Sequence, residues 1–303
     1  MEPIKSASLI TAVKTPYAFN GEIDLGAYDQ LVEQLCRKGV QGIIVGGTTG
    51  EGHLLSWEEH LMLIAHSVHR FGKQLLIIGN TGSNSTREAI RATEYGFASG
   101  MHAALQINPY YGKTSPDGLK SHFQKLLDIG PGIIYNVPSR TGQDLEPHLI
   151  EKWAEHRHFI GVKECAGNAR IAYYESHGIA CWSGNDDQSF AGRHQSKSHG
   201  VISVAANLVP GLMRRLMDDP NSGDLNQTLQ PLMAWLFCVP NPIPINTVLA
   251  MTGMASPVFR LPYVPLNREV RKKGLEILKT LDASEVMGSQ RQVLEDHQFV
   301  MIE

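Results

Sequence analysis

A chain of 303 residues with 42% hydrophobic side chains can bury a substantial core, and its length allows one large α/β domain or two smaller ones. A formal net charge of −3 offers no basic excess to attract nucleic acid or an anionic membrane, and no apolar run reaches the roughly 20 residues that span a bilayer. The expected partner is a small molecule or another copy of the chain.

Residues 1–8 carry neither the apolar core of a signal peptide nor the Arg- and Ser-rich stretch of a transit peptide. Short apolar runs then recur at 9–13, 42–45, 75–79, 103–107, 132–137, 159–162, 179–182 and 201–204. They are continuous rather than alternating, which suits strands buried on both faces of a parallel sheet. Between them, 27–37, 57–71 and 86–97 place apolar residues three and four apart, the period of an amphipathic helix. Gly39, Gly72, Gly100, Gly130 and Gly178 stand where helices should end. The pattern predicts an α/β fold, a (β/α)₈ TIM barrel over residues 1–217. An open doubly wound sheet would leave the even spacing unexplained. The stretch 186–199 is polar and only poorly helical. After Asn207 the pattern is helical alone, at 212–217, 225–237, 247–251 and 270–280. These read as the eighth helix and a C-terminal helical extension over 218–303, within a single domain 1–303. Cys36, Cys165, Cys181 and Cys238 form no CxxC pair and read as reduced, buried thiols of a cytosolic or plastid interior.

A TIM barrel builds its active site from the loops that follow the strands. After the second strand lies Gly46-Gly47-Thr48-Thr49-Gly50-Glu51-Gly52, whose glycines bring backbone N–H groups close to an anion while the threonines add hydroxyls. It is neither a Walker loop nor GxGxxG; it reads as a small-carboxylate site or as a plain glycine turn. After the fourth strand lie Tyr110 and Tyr111 in a Pro/Gly loop, either surface packing or a proton-passing pair. The fifth strand ends near Tyr135, with Arg140 in the loop above it, where a planar guanidinium can grip a carboxylate. The sixth strand carries Lys163 in an apolar setting. A free lysine has a pKa of about 10.4, and burial can lower it enough to make the neutral, nucleophilic amine common. That is the usual route to a Schiff-base lysine; the bland alternative is a salt bridge to a neighbouring strand. Among the histidines there is no HExxH, so no metal is expected, and no GxSxG suggests a serine triad.

Taken together, these loops resemble the dihydrodipicolinate synthase family of class I pyruvate aldolases, closest to its plant type. The likeness covers nearly the whole chain and is most specific at 45–51, 79–90, 108–115, 134–144, 161–165, 182–187, 200–204 and 259–265. It implies an enzyme that condenses pyruvate with L-aspartate 4-semialdehyde through an imine, without metal or organic cofactor. By the resemblance, Lys163 forms the Schiff base, and Tyr135, Thr48 and Tyr111 make a hydroxyl relay, Tyr111 entering from a neighbouring subunit of a homotetramer. Thr49 would contact the pyruvate carboxylate, Arg140 the semialdehyde carboxylate, and Gly184 and Ile202 would line the pyruvate pocket. Plant relatives imply the plastid stroma, with the transit peptide absent from this chain; the alternative is a bacterial cytoplasm. Residues 188–198 and Ala205-Ala206 depart from the family pattern, away from the matched positions. The competing readings are a sialate or keto-sugar-acid lyase, against which Arg140 speaks, and an inactive metabolite-binding barrel, against which Lys163, Tyr135 and Thr48 speak.

A second group lies at two helix starts. Ser56 and Asn84 read as N-caps, with Glu59 and Arg87 three residues on. That leaves Trp57, His60 and Glu88 without a role. The plant-type resemblance implies that these three, with Asn84 and Tyr110, form an allosteric pocket for the inhibitor L-lysine.

Overall fold

The computed structural model describes residues 2–303. Eight strands close a barrel in chain order. They are β1 (Leu9–Ala12), β2 (Gly42–Val45), β3 (Leu76–Asn80), β4 (Ala103–Ile107), β5 (Gly132–Asn136), β6 (Phe159–Glu164), β7 (Cys181–Ser183) and β8 (Gly200–Ser203), with helices between them. From β2 to β8 each strand pairs in parallel with the next. The expected TIM barrel is the fold. Strands β2 and β4 have the expected bounds, and β6 runs past its apolar run 159–162 to Glu164, which places Lys163 on the strand as expected.

The helices form for local reasons that the sequence contains. Asp24 caps Leu25–Arg37 by accepting from Ala27 N at 2.9 Å, and Gly39 closes it at φ +83°, a conformation that costs glycine little. Tyr28, Leu31, Val32 and Leu35 make its buried face. Each such side chain contributes about 2 kcal/mol of transfer free energy. The helix Trp57–Phe71 buries His60, Leu63, Ile64, Ser67 and Phe71 with the same spacing. The polar stretch expected to be poorly helical holds a 3₁₀ turn, Asp186–Gln188, and a six-residue helix, Ser189–His194. Helices Gly223–Leu236, Ile243–Met251 and Arg268–Lys279 follow the barrel. A short parallel ribbon, Val258–Arg260 with Val300–Ile302, lies outside anything the sequence pattern announces.

The chain divides into two compact units. One comprises the residues up to Ile10 together with 41–45 and 57–202; the other comprises 11–40, 46–56 and 203–303. In the first, Trp182 is fully buried and its Nε1 donates to Ala7 O at 2.8 Å. No helix among the described residues is long and apolar enough to cross a membrane.

Candidate active site

Strands β5 and β6 set the centre of the first unit. Tyr135 stands opposite Lys163 in the parallel register, and both are buried, at 6% and 7% exposure. Lys163 Nζ lies 4.3 Å from the centroid of the Tyr135 ring. Burial pushes the Lys163 amine below its ordinary range; Cys165 and Asp186 act against this, and the Arg140 guanidinium acts with it. Cys165 hydrogen-bonds the Tyr135 side chain, and burial pushes its thiol up to about 11, so it stays protonated at neutral pH. Arg140 is exposed and belongs to a short helical turn, Pro138–Thr141, rather than to the open loop that the sequence suggests. Proline at its first position and Gly142 at φ +72° explain that turn.

Gly184 is held to glycine by its neighbours. A Cβ there would lie 2.3 Å from Cys165 Sγ and 3.1 Å from Lys163 Cε, so any larger residue would press on the lysine stem. Ile202 on β8 is 1% exposed. One residue beyond Tyr135 and Lys163, on the other face of the sheet, Asn136 and Glu164 join the same two strands. Asn136 Nδ2 donates to both Glu164 oxygens at 3.0 and 3.1 Å and to Asp144 Oδ1 at 2.7 Å. Ala166 N adds a bond of 2.7 Å to Glu164. The sequence reading passed over this pair; a carboxylate directly beside a strand lysine was its available signal.

The second unit contains the threonine loop. Thr48 is half-buried and Thr49 is 1% exposed. Asn241 Nδ2 donates to Thr49 Oγ1 at 3.2 Å, which leaves the threonine hydrogen for another acceptor. Thr15 Oγ1 donates to Gly50 O at 2.7 Å. Glu51 is fully buried, and its Oε1 accepts from both Lys14 Nζ and Asn246 Nδ2. Lys14 is thus a second buried lysine, missed by the sequence reading although it too follows an apolar strand run.

Of the five residues expected to form an inhibitor pocket, four line two cavities of the first unit. Trp57 and Glu88, with Leu61, Arg91 and Tyr95, line a cavity of about 310 Å³. Asn84 and Tyr110, with Thr86, Lys113 and His122, line another of about 340 Å³. His60 stacks on Trp57, with centroids 5.4 Å apart and planes 10° apart, and burial pushes it down to about 4. The expected N-cap at Asn84 is displaced by one residue. Ser85 caps Thr86–Ala98 and accepts from Glu88 N at 3.4 Å, while Asn84 is exposed. Glu88, not Arg87, therefore stands three residues beyond the cap. Tyr111 is 93% exposed at φ +68°. The expectation of buried cysteines holds for Cys181; Cys36 and Cys165 are half-buried and Cys238 is exposed, all four as free thiols. Among the described residues no cluster of His, Cys, Asp and Glu is placed to hold a metal ion.

The comparisons with known proteins show the family. The model of the dihydrodipicolinate synthetase family matches residues 5–281. The chloroplastic 4-hydroxy-tetrahydrodipicolinate synthase of Nicotiana tabacum is 55% identical over 302 residues, 99% of this chain and 84% of that protein. A chloride-inhibited dihydrodipicolinate synthase of Acinetobacter baumannii, solved with pyruvate, superposes with a TM-score of 0.86 at 34% identity, over 90% of this chain and 98% of that one. The enzyme of Cyanidioschyzon merolae, solved with lysine bound, gives a TM-score of 0.86 at 28% identity, over 91% of this chain and 98% of that one. The chain is an enzyme of the lyase class and belongs to the dihydrodipicolinate synthetase family.

Proposed function

We propose that this enzyme condenses pyruvate with L-aspartate 4-semialdehyde to give 4-hydroxy-tetrahydrodipicolinate, the committing step toward lysine. The observation that carries the reading is Lys163 itself: a buried strand lysine with a lowered pKa, 4.3 Å from the ring of the tyrosine paired with it. The neutral amine adds to the pyruvate carbonyl, and loss of water leaves an imine. Loss of a methyl proton gives the enamine, whose carbon attacks the semialdehyde aldehyde; cyclisation then frees Lys163. Tyr135 is assigned proton transfer, with Thr48 and Tyr111 as its relay partners by family resemblance. Thr49 binds the pyruvate carboxylate, Arg140 the semialdehyde carboxylate, and Gly184 and Ile202 shape the pyruvate pocket. The exposure of Tyr111 supports its delivery to a neighbouring copy in a homotetramer. The chloroplastic relatives support a plastid location.

The same reading includes feedback inhibition by L-lysine through Trp57, His60, Asn84, Glu88 and Tyr110. Its support is the lysine-bound relative and the two cavities these residues line or flank. The deciding experiment mixes purified protein with both substrates and follows product through a coupled reductase, with borohydride trapping in parallel. Product, and one reduced pyruvyl adduct on the Lys163 peptide, are expected. No product, or an adduct on another lysine, refutes the proposal.

A further inference from the structure

We propose that the threonine loop is held in its working shape by a stack running from Arg260 through Tyr17 and Lys14 to Glu51, and that Lys14 and Asn246 are positioning residues for Thr48 and Thr49. This deepens the reading of the previous section and rests on its assignment of those two threonines.

The starting point is the backbone of the loop. Glu51 has φ +57°, a region that non-glycine residues seldom occupy and keep only where their surroundings over-determine it. The surroundings here are specific. Glu51 Oε1 accepts from two different elements, from Lys14 just beyond β1 and from Asn246 on the helix Ile243–Met251. The backbone of the loop closes on itself, Glu51 N donating to Thr48 O and Gly52 N to Gly47 O, each at 3.1 Å. A displacement of Glu51 is therefore passed directly to Thr48.

Lys14 is fixed in turn. Its backbone N donates to Asn207 Oδ1 at 3.1 Å, and Asn207 Nδ2 donates to Ala12 O at 2.8 Å. Its Nζ lies 4.8 Å from the Tyr17 ring centroid, and Arg260 Cζ lies 4.4 Å from the same ring. Arg260 also donates to Gly21 O at 2.8 Å and to Leu54 O at 3.4 Å, while Leu54 N donates to Glu51 O at 2.8 Å. The loop is thus gripped at Glu51 from both sides. The far end of the stack is tied by the ribbon, where Arg260 pairs with Ile302 and Leu261 N donates to Ile302 O at 2.8 Å.

Stability alone does not account for this arrangement. A buried ion pair is seldom more stabilising than apolar side chains of the same volume, because desolvation offsets the attraction. Glu51 Oε2 has no hydrogen-bond partner among the described residues, which adds to the cost. What charges and directed bonds provide, and apolar packing does not, is a fixed direction for the Glu51 side chain and so for the loop.

The test uses the full chain and the double variant Lys14→Met/Glu51→Gln, which removes both charges together and so avoids leaving one buried alone. It should fold and still form the borohydride-trapped pyruvyl adduct on Lys163, more slowly than the parent because Thr49 is the assigned pyruvate-carboxylate contact, and turn over about 10²-fold more slowly, the scale expected for a displacement of about 1 Å. The pH profile of kcat should change with it. Asn246→Ala, which keeps the ion pair, should slow turnover about tenfold and decides the matter if the double variant does not fold. A folded double variant with parent turnover and pH profile, or an Asn246→Ala enzyme with parent turnover, overturns the inference. Thr48→Val separates the two levels: if it remains active, the earlier reading of Thr48 fails; if it is inactive while the network variants are fully active, this inference alone fails.

Discussion

Lys14 and Lys163 are both buried, at 2% and 7% exposure, and burial lowers the pKa of each. They differ in their company. Lys14 meets the carboxylate of Glu51 directly, which favours its ammonium form and occupies its protons. Lys163 faces a tyrosine ring and the Cys165 thiol, and Asp186 favours its charge through Coulomb attraction; an arginine disfavours the charge of each lysine, Arg140 at Lys163 and Arg260 at Lys14. On the proposed reading one lysine is a strut and the other the nucleophile. Desolvation is common to both, so the nearest charge, not burial, separates the two roles.

The sharpest way to break this contrast is to exchange the losses. Lys163→Met should abolish the pyruvyl adduct and lower turnover by more than about 10⁴-fold, since covalent catalysis is lost outright. Lys14→Met paired with Glu51→Gln should keep the adduct. Mass spectrometry after borohydride treatment decides, and an adduct surviving in Lys163→Met would mean that the two roles are reversed or shared. A smaller effect is expected at Gly184→Ala, whose new methyl group meets Cys165 Sγ and the Lys163 stem. Adduct formation should slow by about tenfold to 10²-fold with little change in secondary structure, measured as trapped protein against time. An unchanged trapping rate would show that the Lys163 stem yields freely.

His60 extends the comparison to a third buried base, one with no carboxylate partner, and gives the smallest effect. Its pKa falls from 6.5 to about 4, the cause being burial, with a backbone hydrogen bond to Val45 opposing it. Between those values the unfolded chain binds a proton that the folded chain refuses. Stability from this group is therefore complete above pH 6.5 and declines as pH falls toward 4. His60→Asn should flatten the fall in melting temperature across that window; an unchanged acid slope would place the titrating group elsewhere.

The barrel was legible because its strands are continuous apolar runs, and β2 and β4 could be bounded to the residue. Where an apolar run overshoots its ladder, hydropathy misleads: Ile179 and Ala180 are buried but precede β7. The Val258–Arg260 ribbon was not legible, because three residues carry no period and their partners lie near residue 300. Lys163 and Tyr135 were found from their strand positions. Lys14 has the same position after an apolar run, but its partner Glu51 is 37 residues away in a glycine loop, a pairing only the fold reveals. Asn84 was misplaced as a cap because Ser83, Asn84 and Ser85 are all competent cap formers; the backbone geometry, which a sequence does not display, selects Ser85.

With Trp57, Trp153 and Trp235 replaced by phenylalanine, Trp182 would be a single optical reporter of the fold. Its indole is wholly buried, and its N–H is committed to Ala7 O, in the segment that leads into the first barrel strand. Such an indole emits at short wavelength and shifts to the red when water reaches it. Because it stands on the seventh strand and holds the approach to the first, it reads the seam at which the ring of strands meets its own beginning.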